Sequence, residues 1–175
     1  MRSSGRSTTQ SSCRPNGSER SGAARCRTSS RPFADLAQDI DVLLVVDASV
    51  IVQISLAGGL LGPLAGHDLI APPLLASEVA SILCEMTHRG EVPHDHARVA
   101  VANLGSLPIR YERPVGLAVR AWDLARSLGW AKSYDAEYLA LALHYEAPLF
   151  TIDERMRRGA GHIVAMPSPA DLAAT

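Results

Sequence analysis

Two short apolar runs, each closed by an aspartate, constrain this chain more than any other feature. Residues 42–46 read Val-Leu-Leu-Val-Val before Asp47, and residues 149–152 read Leu-Phe-Thr-Ile before Asp153. A run of that length without polar alternation is the pattern of a strand buried on both faces, which occurs in parallel sheets covered by helices. The intervening sequence supplies those helices. A helical stretch starts at Ser49 and ends at Gly58-Gly59. A second strand spans 68–71, and Pro72-Pro73 open a helix that runs to about Arg89 and stops at Gly90. Helices are expected over 93–104 and 114–128, closed by Gly105 and Gly129, with a third strand at 109–111 between them. Ser133 reads as the N-cap of a helix over 134–145. A fourth strand at 148–152 precedes a short helix over 154–158 and an edge strand at 163–166. Strands alternating with helices predict an α/β fold, with a mostly parallel sheet of four to five strands and helices on both faces.

The globular domain is expected over residues 41–175. Residues 1–31 are Ser, Arg, Gly and Thr with almost no large apolar side chain, so they cannot offset their ordering entropy and are expected to be disordered. Residues 32–40 suit a stray helical turn. The stretch 1–40 thus reads as an Arg/Ser-rich tail, either a spacer or an overextended start, although its composition also mimics an organellar transit peptide. It holds seven arginines against Glu19, Asp35 and Asp39, a net +4; the remainder holds ten Lys and Arg against fifteen acids, a net −5, and the sum is −1. An acidic body argues against broad attraction to nucleic acid, but a metal cluster brings its own positive charge to a site. Cys13, Cys26 and Cys84 show neither CxxC nor zinc spacing, which suits a reducing cytoplasm. No apolar run approaches the ~18–20 residues that span a bilayer, so no membrane association is expected. The N-terminus lacks the apolar core of a secretory signal.

The chemistry belongs where the apolar strands end. In open α/β sheets, ligands bind beyond the carboxyl ends of the strands. If the two Asp-terminated strands are neighbours, Asp47 and Asp153 emerge together at that edge. Either acid alone reads first as an N-cap of the helix that follows. Glu78 is harder to set aside, because its helical neighbours are Leu74, Leu75 and Ile82 and no Lys or Arg lies one turn away. A carboxylate beside an apolar face costs several kcal/mol unless it is paired or bound to metal. Asp135 stands in a first helical turn above Tyr138, Leu139 and Ala142, again the apolar side, with Glu137 expected on the opposite side. Oxygen-only acids in this number suit Mg²⁺ or Mn²⁺ rather than Zn²⁺. Their mutual repulsion raises their pKa values without a cation. Such a cluster can activate water and neutralise a phosphodiester.

Other constellations carry less. His94 and His96 are one residue apart at a helix start and point apart. His144 near a helix end suits carbonyl capping. Gly58-Gly59 and Gly62 are followed by no Gly-Lys-Ser/Thr, so they make no phosphate loop. Asp47-Ala48-Ser49 lacks the second acid of haloacid-dehalogenase-like phosphotransfer sites.

Taken in order, four segments resemble the PIN-domain family, and within it the VapC-type toxins of bacterial toxin–antitoxin pairs. Val46-Asp47-Ala48-Ser49-Val50-Ile51-Val52 is similar to the family's opening strand and turn. Ala71-Pro72-Pro73-Leu74-Leu75-Ala76-Ser77-Glu78-Val79-Ala80 is similar to its second acidic motif. Ser133-Tyr134-Asp135-Ala136-Glu137-Tyr138-Leu139-Ala140-Leu141-Ala142 is similar to its most diagnostic segment, and Pro148-Leu149-Phe150-Thr151-Ile152-Asp153-Glu154-Arg155-Met156 to its last. The resemblance covers roughly residues 45–166 and implies a PIN-like three-layer sandwich. It implies a Mg²⁺- or Mn²⁺-dependent endoribonuclease acting on structured RNA such as transfer or ribosomal RNA, a homodimer, and a cognate antitoxin that covers the site. It also implies that Asp47, Glu78, Asp135 and Asp153 hold the metal, with Asp47 and Asp135 foremost and Glu78 or Asp153 helping to deprotonate water. Ser49 and Thr151 match hydroxyl positions that orient acids or waters. The long Arg/Ser tail has no counterpart in the family. Lys132 and Arg155 are candidate RNA contacts, with Arg157 and Arg158 beside them, though each also reads as solvated surface charge.

Two other readings compete. A PIN-fold module that binds an antitoxin or RNA without cleavage keeps the fold, but it has no need of four acids. An Asp-pocket signalling domain of flavodoxin-like topology wants a lysine after its last strand, and the only lysine, Lys132, precedes a helix instead.

Overall fold

The computed structural model describes residues 42–172. The expected tail at 1–40, its helical turn and the domain start at Asp41 lie outside the described residues. Strands β1 (Leu43–Val46), β2 (Asp68–Ala71), β3 (Ile109–Tyr111) and β4 (Leu149–Phe150) form one sheet in the order β3-β2-β1-β4, and every pair is parallel. The apolar run of β1 makes it a central strand: Leu44, Val45 and Val46 are wholly buried. Its register sets Val46 beside Phe150 of β4 and Val45 beside Ile70 of β2.

Helix α1 (Ala48–Leu56) connects β1 to β2, and α2 (Leu75–His88) with α3 (His94–Asn103) connect β2 to β3. These three helices pack on one another. The return from β3 to β4 runs through α4 (Leu117–Ser127) and α5 (Tyr134–Tyr145), which pack along each other, with α5 against β1 and β4. Because parallel crossovers are right-handed, the outward steps β1-β2-β3 and the return step to β4 place their helices on opposite faces. Helices α6 (Glu154–Ala160) and α7 (Pro169–Leu172) follow β4. Strand order therefore reverses between β1 and β4, and a crevice opens at their carboxyl ends.

Glycine stops shape two helix ends. Gly90 (φ +73°) and Gly129 (φ +69°) take the left-handed conformation. Beyond them the amides of Glu91 and Trp130 return to the carbonyls of Met86 and Ala125, at 2.9 and 2.8 Å. The second of these turns fixes Trp130 beside the crevice. Helix α5 ends without glycine, in the left-handed conformation of Glu146 (φ +51°).

Several expectations are corrected. The edge strand expected at 163–166 does not form; only the Leu149 amide reaches that segment, donating to Ala165 O at 2.9 Å. Beside it, the Arg157 guanidinium donates to the carbonyls of Thr151, Met166 and Pro167 at 3.0–3.2 Å and holds the end of the segment against the end of β4. The same bonds give Arg157, a candidate RNA contact from the sequence, a structural role as a clamp. For β4, the strand is two residues long instead of five, although the Pro148 carbonyl still accepts from the Val45 amide at 3.0 Å. Ser133 makes no side-chain capping bond to α5. His144 accepts from Arg120 at 2.9 Å through Nδ1 rather than capping carbonyls.

Candidate active site

Asp47 ends β1 and is buried. Its carboxylate is held through one oxygen. Oδ2 accepts from Ser49 Oγ at 2.6 Å, from Thr151 Oγ1 at 2.8 Å and from the Ser49 amide at 3.4 Å, so Asp47 is both the N-cap of α1 and the focus of two hydroxyls. Oδ1 accepts no hydrogen bond among the described residues. Thr151 is itself buried, and its Oγ1 accepts from the Asp153 amide at 3.0 Å. One threonine thereby couples the two strand-ending acids. Asp153 caps α6, its Oδ1 accepting from the amides of Arg155 and Met156 at 2.7 and 3.2 Å. The capping role read from the sequence is therefore real for both aspartates, and it is the device that aims them at the crevice.

Glu78 rises from the first turns of α2, half-buried, and its Oε2 accepts from the phenol of Tyr138 at 2.7 Å. Burial raises the Glu78 carboxyl above the usual range; the Tyr138 bond opposes this, while the charges of Asp47, Asp135 and Glu137 add to the rise. Asp135, in the first turn of α5, is also raised, first by burial, and further by Asp47 and Asp153, against the lowering effect of Arg155. Glu78 thus feels the charges of Asp47 and Asp135, and Asp135 those of Asp47 and Asp153. Glu137, expected on the outer side of α5, is half-buried instead, and burial raises its carboxyl too.

Arg155 closes the arrangement. Its guanidinium donates to Asp135 Oδ2 and lies 5.9 Å from the ring centroid of Trp130. Arg158 pairs at 3.6 Å with Glu154 on an exposed face. Lys132 lines a groove beside Glu78. His94 and His96 take separate partners, Asp95 and the Leu56 carbonyl. Sequence reasoning missed Tyr138 and Trp130. A lone hydroxyl on the otherwise apolar buried face of α5, one turn after Asp135, was the available signal for Tyr138.

A hard divalent cation suits this donor set. The acids offer oxygen only; burial and neighbouring carboxylates raise Glu78 and Asp135, and among the described residues only Asp135 of the four pairs with a cation, Arg155. Among the described residues, no group of three or more acidic, histidine or cysteine side chains stands close enough together to hold a metal ion.

Residues 44–161 match the PIN domain family. This chain belongs to the PIN-domain family. It is 33% identical over 115 residues to the VapC ribonuclease Mb0985 of Mycobacterium bovis, covering 65% of this chain and 88% of that protein. It is 32% identical over 127 residues to ribonuclease VapC1 of Mycobacterium tuberculosis, covering 67% of this chain and 90% of that one. Within the family it falls with the VapC-type proteins. The crystal structure of PAE2754 from Pyrobaculum aerophilum shares the fold, with a TM-score of 0.59 at 21% identity, over 79% of this chain and 94% of that one.

Proposed function

We propose that this chain is a Mg²⁺- or Mn²⁺-dependent endoribonuclease, the toxin of a VapBC-type pair, acting on transfer or ribosomal RNA. The reading is supported by two strand-ending acids, Asp47 and Asp153, joined through Thr151 where strand order reverses, and by Glu78 and Asp135, whose carboxyls are raised by burial and further by the charge of Asp47. Asp47, Asp135, Glu78 and Asp153 would hold the cation, which when bound supplies water activation and charge neutralisation at a phosphodiester.

The chain's own groups divide the remaining work. Ser49 and Thr151 fix Asp47 through Oδ2, which leaves Oδ1 without a hydrogen-bond donor among the described residues. Asp153 gives Oδ1 to the amides of α6, which leaves Glu78 better placed to take the proton of an attacking water. A carboxyl held above the usual range is matched to that task near neutral pH. Tyr138 holds Glu78 in place meanwhile.

The partner would be a cognate protein antitoxin, and the active species a homodimer. Val119 and Trp122 lie on the exposed side of α4 and Val115 just before it, with Trp122 60% exposed, which supports self-association. No helix among the described residues is long and apolar enough to cross a membrane, and the lone described cysteine, Cys84, is free; both agree with a cytoplasmic setting.

The test is cleavage of total cellular RNA by the purified chain with Mg²⁺, with Mn²⁺ and with EDTA, beside Asp47→Ala and Asp135→Ala. Discrete fragments that require metal and both aspartates are expected. Undiminished cleavage by Asp135→Ala would overturn the reading. No cleavage by folded protein with either metal would favour the module that binds without cutting.

A further inference from the structure

Beside Glu78 runs a groove of about 540 Å³ that extends along α2 beyond the motif residues. Ser77, Glu78, Ser81 and Glu85 line it from α2, recurring at helical three- and four-residue spacing, and Lys132 and Tyr134 line it from the turn before α5 and its first residue. Leu74 and Ile82 add apolar surface. Glu78 belongs to the groove and to the acid cluster at once, so the two are continuous.

The contents of the groove define what it can take. Tyr134 is 58% exposed, an aromatic face with no ring partner among the described residues. Lys132 forms no ion pair among the described residues, although two carboxylates line the same groove. Glu85 has only a 3.6 Å contact with Arg89, itself exposed. An acidic ligand would meet two carboxylates and one ammonium, so a uniformly anionic peptide is disfavoured. A nucleotide carries one anion and one flat, hydrogen-bonding ring, which matches one lysine, one exposed aromatic and a row of hydroxyl and carboxylate groups. Bases inside an A-form duplex cannot reach such a groove, whereas splayed bases in loops stack on aromatic side chains and bond through their edges.

We propose that this groove is a subsite for one unpaired nucleotide next to the scissile phosphate, with the base on Tyr134, the base edge on Ser77, Ser81 and Glu85, and the neighbouring phosphate on Lys132. The proposal rests on the ribonuclease reading for its position beside the cut, and it confines cleavage to unpaired segments of a structured RNA.

The experiment is fluorescence anisotropy of the full chain with a short labelled single-stranded RNA and with the same sequence as a duplex, in Ca²⁺ and in EDTA. Binding is read without cleavage. Tyr134→Ala should weaken single-strand binding by about ten- to a hundredfold, the range of one lost base stack, while Tyr134→Phe retains it. Lys132→Met should weaken it with a shallower salt dependence. The duplex should bind more weakly than the single strand. Tyr134→Ala binding as tightly as the unaltered chain, or a duplex binding as tightly as the strand, overturns the subsite. Tyr134-dependent binding without any cleavage in Mg²⁺ or Mn²⁺ upholds the subsite and overturns the nuclease reading instead. Since Tyr134 and Lys132 are both exposed, thermal melting of the variants should match the unaltered chain.

Discussion

The phenol of Tyr138 donates a 2.7 Å hydrogen bond to Glu78 Oε2 and so ties α5 to α2 across the carboxyl edge of the sheet. Tyr138 is wholly buried and Glu78 half-buried, so this one bond crosses from the core into the site.

Replacing the phenol alone tests that link. Tyr138→Phe keeps the ring in its packing and removes the only side-chain donor to Glu78 among the described residues. Hydrogen bonds to charged groups contribute about 1.5–3 kcal/mol, and the half-exposed carboxylate can recover part of that from water, so a loss of about 1–2 kcal/mol is expected. The urea midpoint should fall with an unchanged slope. Cleavage should fall as well, because an untethered Glu78 samples more positions. A variant as stable and as active as the unaltered chain would show that the bond does neither job.

The raised carboxyls give the metal-free protein a distinctive pH dependence. Glu78 and Asp135 hold their protons above their ordinary values of 4.5 and 3.8, so between those values and the raised ones the folded chain binds more protons than the unfolded chain. Stability from these two groups therefore falls as pH rises through that window. Glu91 and Glu112 are lowered by their arginine and tyrosine partners and tilt the curve the other way, so the comparison must isolate one group. Glu78→Gln does so: in EDTA its melting temperature should decline less between about pH 4 and neutrality than that of the unaltered chain. Mg²⁺ or Mn²⁺ should raise the neutral-pH melting temperature of the unaltered chain more than that of the variant. Parallel curves in EDTA would remove the argument.

Thr151 joins the two strand-ending acids, donating to Asp47 Oδ2 at 2.8 Å and accepting from the Asp153 amide at 3.0 Å. Thr151→Val conserves shape and leaves both groups short of a partner in a buried position, at an expected cost of about 1–3 kcal/mol. Thr151→Ser restores the hydroxyl and should restore most of the cleavage. Equal cleavage by the valine and serine variants would leave the hydroxyl without a function in the site.

Much of this arrangement was legible because local chemistry and tertiary structure agree. The run before Asp47 reads as a buried strand and becomes the central strand β1; the bounds of β2, β3 and α5 coincide with their expected ones, set off by prolines, glycines and a change of period. The four acids were legible because each stands at an element boundary or beside an apolar face, where a carboxylate needs a reason. What escaped depends on contacts distant in sequence. The side chain of Arg157 reaches the carbonyls of Thr151, Met166 and Pro167, and no local pattern announces that. The half-burial of Glu137 depends on the packing of α5 against its neighbours, not on its position along one helix. Tyr138 reads as one more apolar residue until Glu78 is seen to face it across the sheet edge.

Arg155 separates two roles that the sequence left joined. It was a candidate RNA contact, yet its guanidinium pairs with Asp135 and sits over Trp130. A cation held at that carboxylate competes with a metal ion for it. The pair is partly solvated, with the arginine side chain 66% exposed, so the competition is modest, within the ~1 kcal/mol of exposed ion pairs. Arg155→Met keeps the aliphatic stem and removes the charge. Mn²⁺ affinity, measured by calorimetry on the metal-free chain, should tighten by up to about fivefold. The KM for RNA should stay within twofold of the unaltered value, roughly the scatter expected of a surface charge that does not touch the strand. If metal affinity is unchanged and KM rises with a reduced salt slope, Arg155 belongs to the RNA, and its pairing with Asp135 is a resting place that the substrate displaces.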